Sequence, residues 1–348
     1  ARSASKAWRL KLLAESPPMQ EGAKKRSGRQ ESEQMEVKRM GFDEWRRHDR
    51  AVGNLQEHPS ASLGLFIPAF CGLTCSLLLL SPVPIQGVGL SVFLVAAIGV
   101  VALMGEQAIQ RWPSSRPLVH PLLSALLIYA LYSSLGRFVP SLIPEDREWF
   151  LLAVDRRFLG FDWEAWFQAW ANPWVTDGLQ AVYASFYFFP LLLGLAFAFQ
   201  RKWAVLYAVT DRVILGFLLT YCGYFLVPAR SPNEFLEYSM PLPSFGLQES
   251  LHTLFVETSF MKWDCFPSGH TMMSAFVAWC AWQRLGRARW LFVSWSALTI
   301  LATLYLRYHY LVDVLVGFVG FLLWVWISER LFGRLRELEA AAPLESVT

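Results

Sequence analysis

The sequence predicts an all-α fold, a polytopic transmembrane helical bundle of about eight spans. Hydrophobic residues make up 54% of the 348 residues and charged residues only 17%. Soluble proteins carry about 25% charged residues. The apolar residues also occur in long blocks, and a helix needs about 20 such residues to cross a bilayer. A mean hydropathy of +0.33 agrees with this interpretation. Composition and block length therefore exclude an ordinary soluble domain.

Eight apolar blocks account for the predicted spans. They are residues 61–80, 88–104, 118–139, 175–199, 203–227, 268–283, 290–306 and 309–327. The short basic loops all fall on one side of such a bundle, which the positive-inside rule assigns to the cytoplasm. Both termini are then cytoplasmic, and the remaining connections face the extracytoplasmic (periplasmic or lumenal) side.

The spans divide the chain into four predicted regions. These are a cytoplasmic basic tail (1–58), two additional N-terminal transmembrane helices (59–117), a six-helix core (118–329) and a cytoplasmic C-terminal tail (330–348). The core carries two long outer connections, an interfacial segment at 141–174 and an outer loop at 228–267. Trp163, Trp166, Phe167 and Trp170 recur at helical spacing in the first of them. This pattern fits a helix lying in the membrane interface or one packed on the bundle.

The N-terminal tail contains no apolar run, so we expect no cleavable signal peptide of the usual kind. Its basic residues leave two interpretations, a nucleic-acid-binding arm or a solvated tail near anionic lipid. Nine acidic residues are interspersed among its thirteen basic ones, which favours the solvated tail. We therefore expect a bilayer as partner and no nucleic acid.

Two adjacent charges interrupt the fifth span. Asp211 and Arg212 lie roughly two turns from its cytoplasmic end. Neighbours in sequence point to different faces of a helix, so the two need not pair with each other. One interpretation is snorkelling toward the cytoplasm with one buried partner, and the other is a second polar cavity. The first is favoured.

Two short polar stretches stand at the ends of apolar blocks on the extracytoplasmic side. They are CFPSGHT (265–271) and LRYHYLVD (306–313). Ionisable side chains at a membrane boundary are costly, so by default they indicate a functional site. The residue types suit phosphate chemistry, since they supply a permanent cation (Arg307), a nucleophile (His309), its orienter (Asp313) and a second histidine to move a proton (His270).

The spacing of these residues supports the same interpretation. His309 and Asp313 are four apart, so a helix beginning there places both on one face, where the carboxylate accepts from one ring nitrogen and leaves the other free to attack phosphorus. Ser268 and Gly269 open another span, whose free amide groups favour an anion. Arg230, in VPARSP (227–232), adds a cation from a third element.

The order and placement of these motifs resemble the second and third signature motifs of the type 2 phosphatidic acid phosphatase superfamily. The resemblance implies a helical bundle with a six-helix phosphatase-like catalytic core that requires no cofactor or metal. It further implies that His309 becomes phosphorylated, that His270 acts as acid and base, and that Arg230, Arg307, Ser268 and Gly269 bind phosphate. The expected substrate is a phospholipid or another lipid phosphate.

The first motif departs from the family pattern. The family usually has a lysine seven residues before an Arg-Pro pair, whereas here that position is Gly223, and Ser231 separates Arg230 from Pro232. This variant, together with VDRRFLG (154–160), is similar to the inositol phosphorylceramide synthase branch. That branch transfers a phosphorylated headgroup to a lipid alcohol, while a simple lipid or polyprenyl (pyro)phosphate phosphatase transfers it to water. Carboxylates of the outer loop, Glu234, Glu237 and Asp264, are predicted to select the headgroup through its hydroxyls.

Two other classes remain open. A membrane transporter would line its pathway with Asp211, Arg212, His309 and Asp313, although the sequence has no pair of matched broken helices. A metal site would use His270, His309 and Asp313, and loss of activity in a chelator would favour it. The five cysteines have no paired spacing and are predicted to be packing thiols, Cys265 among them.

Overall fold

The computed structural model describes residues 60–142, 147–159, 163–238 and 240–333, all within one compact unit, Asn54–Glu339. Every regular element among these residues is a helix, which confirms the predicted all-α bundle. The predicted N-terminal tail and all but the first residues of the predicted C-terminal tail lie outside the described residues.

The helices are numbered here in chain order. They are α1 (Ser62–Leu80), α2 (Val88–Arg111), α3 (Pro113–Leu135), α4 (Val139–Leu142), α5 (Glu148–Val154), α6 (Trp163–Ala169), α7 (Pro173–Phe199), α8 (Trp203–Leu226), α9 (Pro232–Phe235), α10 (Leu247–His252), α11 (Gly269–Arg284), α12 (Arg289–Tyr305) and α13 (Leu311–Phe332). A π-helical turn, Thr253–Glu257, extends α10.

Six helices of the described region are long and apolar enough to cross a membrane, namely α1, α2, α3, α7, α8 and α13. The protein is therefore an integral membrane protein. Helices α11 and α12 have 16 and 17 residues. At 1.5 Å per residue they are roughly 24 to 26 Å long, slightly less than the hydrocarbon core of a bilayer. The count of eight spans stays a prediction.

Helix α8 lies at the centre and contacts α3, α7, α11 and α13. Its Gly216 faces Trp324 of α13 so closely that a Cβ on the glycine would stand 2.4 Å from the indole ring. Phe276 of α11 stacks on the same indole at 4.0 Å between ring centroids. This tight apolar layer fixes α8, α11 and α13 against one another and so positions the polar residues at their ends.

The two charges inside α8 have partners within the bundle. The Asp211 carboxylate accepts a hydrogen bond from the Ser62 backbone N–H at 2.9 Å and lies 3.0 Å from His120 Nε2. The buried Arg212 donates to the carbonyl oxygens of Ala208 and Gly333, both at 2.8 Å. Asp211, on α8, therefore caps the start of α1 and attaches the first span to the core. Its carboxylate makes these contacts inside the bundle instead of snorkelling toward the cytoplasm.

The aromatic face of the outer segment divides between the bundle and its surroundings. Phe167 packs against Tyr305 of α12 at 5.7 Å between ring centroids, whereas Trp166 and Trp170 are exposed. The side chain of Trp163 is outside the described residues. Helix α6 thus packs on the bundle through Phe167 and has exposed indoles at Trp166 and Trp170. Its placement in the membrane interface stays a prediction.

Candidate active site

The two polar stretches meet at one end of the bundle. Ser268 caps the start of α11, because its Oγ accepts from the Thr271 backbone N–H at 3.2 Å, and its own N–H donates to the Asp313 carbonyl oxygen at 3.2 Å. The first turn of α11, which contains His270, is thereby tied to the first turn of α13, which contains Asp313. This junction brings the two motifs together.

Helix α13 begins at Leu311, two residues later than the predicted span. The Asp155 carboxylate accepts from the backbone N–H groups of Leu311 at 2.8 Å and Val312 at 2.7 Å and so caps the helix from the outer segment. The backbone N–H groups of Tyr308 and His309 donate to the Thr303 carbonyl oxygen. His309 therefore lies in the turn before the helix, not on its face, while Asp313 lies in its first turn.

His309 nevertheless contacts both predicted partners. Its Nδ1 lies 3.1 Å from Asp313 Oδ2, and its Nε2 lies 3.1 Å from His270 Nδ1. His309 is 3% exposed and Asp313 0%, so the contact between them is buried. With the carboxylate ionised, His309 donates from Nδ1 and keeps a lone pair on Nε2. The resulting chain Asp313–His309–His270 is the arrangement of an oriented nucleophile beside a second proton carrier.

His270 is held by aromatic rings. It stacks on Tyr183 with 4.6 Å between centroids and an interplanar angle of 24°, and Phe186 lies 4.3 Å away. Its Nε2 has no hydrogen-bond partner among the described residues. When Nδ1 donates to His309, this Nε2 is the basic nitrogen. A phosphoryl group that reaches His309 Nε2 must take the place of the hydrogen bond between the two histidines.

Cys265 makes a contact that was not predicted from the sequence, where this residue was interpreted as a packing thiol. Its Sγ lies 2.8 Å from Asp313 Oδ2, the oxygen that also faces His309. Burial, followed by the neighbouring Asp313 charge, raises the pKa of the Cys265 thiol well above its ordinary value. The thiol therefore stays protonated, and its S–H group donates a hydrogen bond to the carboxylate. Asp313 is thus fixed from two sides.

Cys265, His309 and Asp313 also present possible ligand atoms within 4.8 Å of one another. This set shares His309 and Asp313 with the metal site considered from the sequence, and it has Cys265 in place of His270. The hydrogen bonds among these same atoms account for their closeness.

The histidines border a small polar cavity of about 40 Å³, room for roughly three water molecules. It is lined by Tyr132, Tyr183, Tyr187, Ser231, Glu234, Phe255, Val256, Ser259, Met261, Lys262, Asp264, Cys265, His270, Tyr308 and His309. Glu234 and Asp264, two of the predicted headgroup-selecting carboxylates, are thus at the cavity. Glu237 is exposed and does not line it. The selecting role of all three stays a prediction.

A second, larger cavity of about 470 Å³ runs along three of the long apolar helices. Its walls come from α3, α7 and α8 and are mostly apolar, and at its far end are Asp264, Gly269 and His270. Along α3 its lining extends from Pro117 to Tyr132, 15 residues or roughly 22 Å of helix. We refer to it as the apolar groove. Tyr132, Tyr187, Asp264 and His270 line both cavities, so the groove ends at the polar one.

Asp264 lies at this junction. Its Oδ2 accepts a hydrogen bond of 2.5 Å from the Tyr132 hydroxyl. Loss of hydration raises the pKa of the Asp264 carboxyl, although the Tyr132 hydrogen bond and His309 act in the opposite direction. A carboxyl with a raised pKa beside the polar cavity is suited to exchange hydrogen bonds with hydroxyl groups.

The two arginines predicted to bind phosphate are engaged elsewhere. Arg230 Nε lies 2.8 Å from Glu148 Oε1, and the buried Glu148 also accepts from the Arg230 backbone N–H. Arg307 donates to the Gln168 side chain and to the Met240 carbonyl oxygen, and it stands 3.8 Å from the centre of the Tyr238 ring. Neither is among the residues that line the polar cavity. Their role as phosphate ligands stays a prediction.

Ser268 and Gly269 also lie apart from the polar cavity. Ser268 is fully buried, and its hydroxyl bonds to Thr271. Gly269 lines the apolar groove, where an added Cβ would stand 3.1 Å from both Thr220 Cγ2 and the Tyr224 hydroxyl. The first residue acts as a helix cap in this arrangement, and the second allows close packing of α11 on α8. Phosphate binding by either one is untested.

The outer segment supports the site at three points, and none of these three contacts was predicted from the sequence. Glu148 binds Arg230, Asp155 caps α13, and Gln168 binds Arg307. Asp155 lies within VDRRFLG (154–160), the stretch noted as similar to the synthase branch. Each predicted polar motif except PSGH therefore has a partner from the segment between α4 and α7.

Gly223 explains the absent lysine of the first motif. A Cβ at this position would stand 2.1 Å from Pro267 Cδ, a distance that packed atoms do not adopt. Helix α8 here lies directly against the PSGH stretch. No side chain fits without moving one of the two elements.

Comparison with known families agrees with this geometry. The family model of the PAP2 superfamily matches residues 149–327, just over half of the chain. The match begins in α5 and ends within α13. It contains both polar stretches and the outer segment from residue 149 onward, but not α1 to α4 or Glu148. Searches of curated proteins and of solved structures found no match.

The match identifies the superfamily and not a branch within it, so the inositol phosphorylceramide synthase resemblance stays a prediction. The helical bundle, the membrane-spanning helices and the matched residues all lead to one classification. The chain belongs to the PAP2 superfamily and is an integral membrane protein of the phosphatase type.

Proposed function

We propose that the protein is a lipid phosphotransferase or phosphatase that acts through a phosphohistidine at His309. The observation that carries this proposal is the chain Asp313–His309–His270 beside both cavities. Membership of the PAP2 superfamily supports the class of reaction. The substrate is a phospholipid or another lipid phosphate in the bilayer.

The reaction has two half-reactions that balance at the histidines. In the first, His270 enters as the imidazolium, with a proton on both ring nitrogens. His309 Nε2 bonds to phosphorus, the bond from phosphorus to the leaving oxygen breaks, and His270 protonates that oxygen and becomes neutral. In the second, His270 removes the proton of the acceptor hydroxyl, the acceptor oxygen bonds to phosphorus, and the His309 nitrogen leaves. Asp313 stabilises the positive charge on His309 in both steps.

The apolar groove indicates that the substrate is a lipid phosphate and not a water-soluble phosphate ester. A pocket with mostly apolar walls and a few polar groups at one end is typical of ligands that combine both characters. A hydrocarbon chain along α3 and α8 would deliver its attached oxygen to His270. The same path serves a departing lipid alcohol and an arriving one, which supports transfer between lipids as well as hydrolysis.

The acceptor of the phosphorylated headgroup distinguishes a phosphotransferase from a simple phosphatase. Purified protein is given candidate phospholipids with and without ceramide or another lipid alcohol, and the products are identified by mass spectrometry. We expect the phosphorylated headgroup, an inositol phosphate among those tested, to appear on the lipid alcohol. Release of the phosphate to water alone, from a lipid or polyprenyl (pyro)phosphate, would contradict transfer and leave a simple phosphatase.

We further propose that the site faces the extracytoplasmic side and that both termini are cytoplasmic, because the short basic loops fall on the other side. Glu237, beyond α9, and Arg287, between α11 and α12, are both exposed. In a protein with Cys222 replaced by serine, a cysteine at Glu237 should react with an impermeant thiol reagent on intact cells, and one at Arg287 should not. The reverse pattern would overturn this topology.

A further inference from the structure

The polar cavity contains a cation that the predicted phosphate ligands do not include. Among the described residues that line it, Lys262 is the single lysine or arginine. Lys262 lies five residues before Pro267, near the end of the outer loop. Its Nζ donates to the Val256 carbonyl oxygen at 2.6 Å and lies 3.2 Å from Glu234 Oε1. These contacts hold the ammonium group at the cavity that His270 and His309 also line.

A phosphate ester at this cavity requires a nearby positive charge. The phosphoryl group carries negative charge that spreads over its oxygens during transfer, and fixed cations stabilise it. Arg230 is bound to the buried Glu148, and Arg307 is bound to Gln168 and the Met240 carbonyl. Lys262 is different, because its carboxylate partner Glu234 is itself at the cavity and is 22% exposed.

We propose that Lys262 binds the phosphoryl oxygens of the substrate and that Glu234 holds the ammonium group before the substrate binds. On binding, the phosphate replaces the Glu234 carboxylate as the partner of Lys262. A lysine suits this exchange, since its ammonium is a compact charge on a flexible stem that binds phosphate as a point charge. This inference rests on the proposed function and adds a ligand from the outer loop to the same site.

The exchange predicts opposite effects for the two members of the ion pair. Lys262→Met removes the cation and should weaken phosphate binding about ten- to a hundredfold, the usual scale for a charge-assisted hydrogen bond. Glu234→Gln removes the competing carboxylate and should strengthen binding several-fold. If the pair only fastened the loop to α9, both substitutions would act in the same direction.

The test is isothermal titration of the full chain in detergent micelles with inorganic phosphate. Wild type, Lys262→Met, Lys262→Arg and Glu234→Gln are compared, and Lys262→Arg should stay within a few-fold of wild type because it keeps the charge. Glu257→Gln is the matched control. Its carboxylate is on the same loop, 3.8 Å from His252 and 56% exposed, and its loss should leave phosphate affinity unchanged.

Equal affinity of Lys262→Met and wild type would overturn the inference, as would equal weakening by Lys262→Met and Glu234→Gln. Absence of phosphate binding by wild type would overturn it as well. Turnover of lipid phosphates is measured separately on the same preparations. Binding that depends on Lys262 in a protein that turns over none of the lipids would support the inference while contradicting the proposed function.

Discussion

Replacement of His309 by glutamine should abolish turnover, with a loss of at least about ten-thousandfold, because the variant lacks the nitrogen that attacks phosphorus. Glutamine keeps a polar group near Asp313 but has no nitrogen lone pair that can attack phosphorus. The measurement is the rate of headgroup release or transfer from a lipid phosphate in mixed micelles. No covalent phosphate should form on this variant.

Two further variants test whether the loss of turnover is caused by removal of the nucleophile. Asp313→Asn should lower the rate without abolishing it, since the amide disturbs the tautomer of His309; the corresponding change in a serine protease costs about ten-thousandfold, a rough upper limit. His252→Gln is the control. This histidine stacks on Tyr308 at 5.6 Å but has no contact with the chain Asp313–His309–His270. Equal loss in all three variants would contradict the assignment.

Replacement of His270 by alanine should affect the two half-reactions differently. With a lipid substrate the rate should fall about a hundred- to ten-thousandfold, the range that general acid catalysis supplies. With a nitrophenyl ester, which leaves without a proton, attack by His309 should persist. The expected result is a rapid release of one nitrophenol per protein molecule, followed by little further release, because the second half-reaction lacks its base.

The size of this initial release decides between mechanisms. Wild type should continue to turn over, and His309→Gln should give no initial release. Steady turnover of the nitrophenyl ester by His270→Ala, with no initial phase, would indicate that His270 is not the base for the second step. Phe186→Leu offers a control for the loss of ring packing around His270 and should retain turnover.

Much of the bundle could be predicted because its signal is local. The apolar block at 203–227 matches α8, and the block at 88–104 begins with α2, which continues to Arg111, since long uninterrupted apolar stretches have few alternatives to a spanning helix. The blocks at 268–283 and 290–306 match helices α11 and α12 to within one residue at each end, but these helices are shorter than the usual membrane thickness, so that they cross the membrane stays a prediction. The start of α13 was missed by two residues, since its cap, Asp155, is 156 positions away from Leu311.

The candidate site likewise contains residues that could be predicted from local sequence and residues that could not. His270, His309 and Asp313 could be predicted from short motifs, and they lie within hydrogen-bonding distance. Cys265 stood directly beside PSGH, and that adjacency was the available signal for its contact with Asp313. Glu148 and Gln168 had none, because their contacts join segments far apart in the chain, and the contacts of Lys262 with Val256 and Glu234 follow no helical or strand period. Long-range polar contacts of this kind depend on the assembled bundle.

The central claim is a phosphohistidine at His309, and one measurement tests it most directly. His270→Ala protein is incubated with a lipid bearing labelled phosphate, quenched and digested, and its peptides are examined by mass spectrometry under alkaline conditions. The account predicts acid-labile, base-stable phosphate on His309, and none on the His270→Ala/His309→Gln double variant. If labelled phosphate never appears on His309 in any variant that still cleaves substrate, water or the lipid alcohol attacks phosphorus directly and the covalent mechanism is wrong.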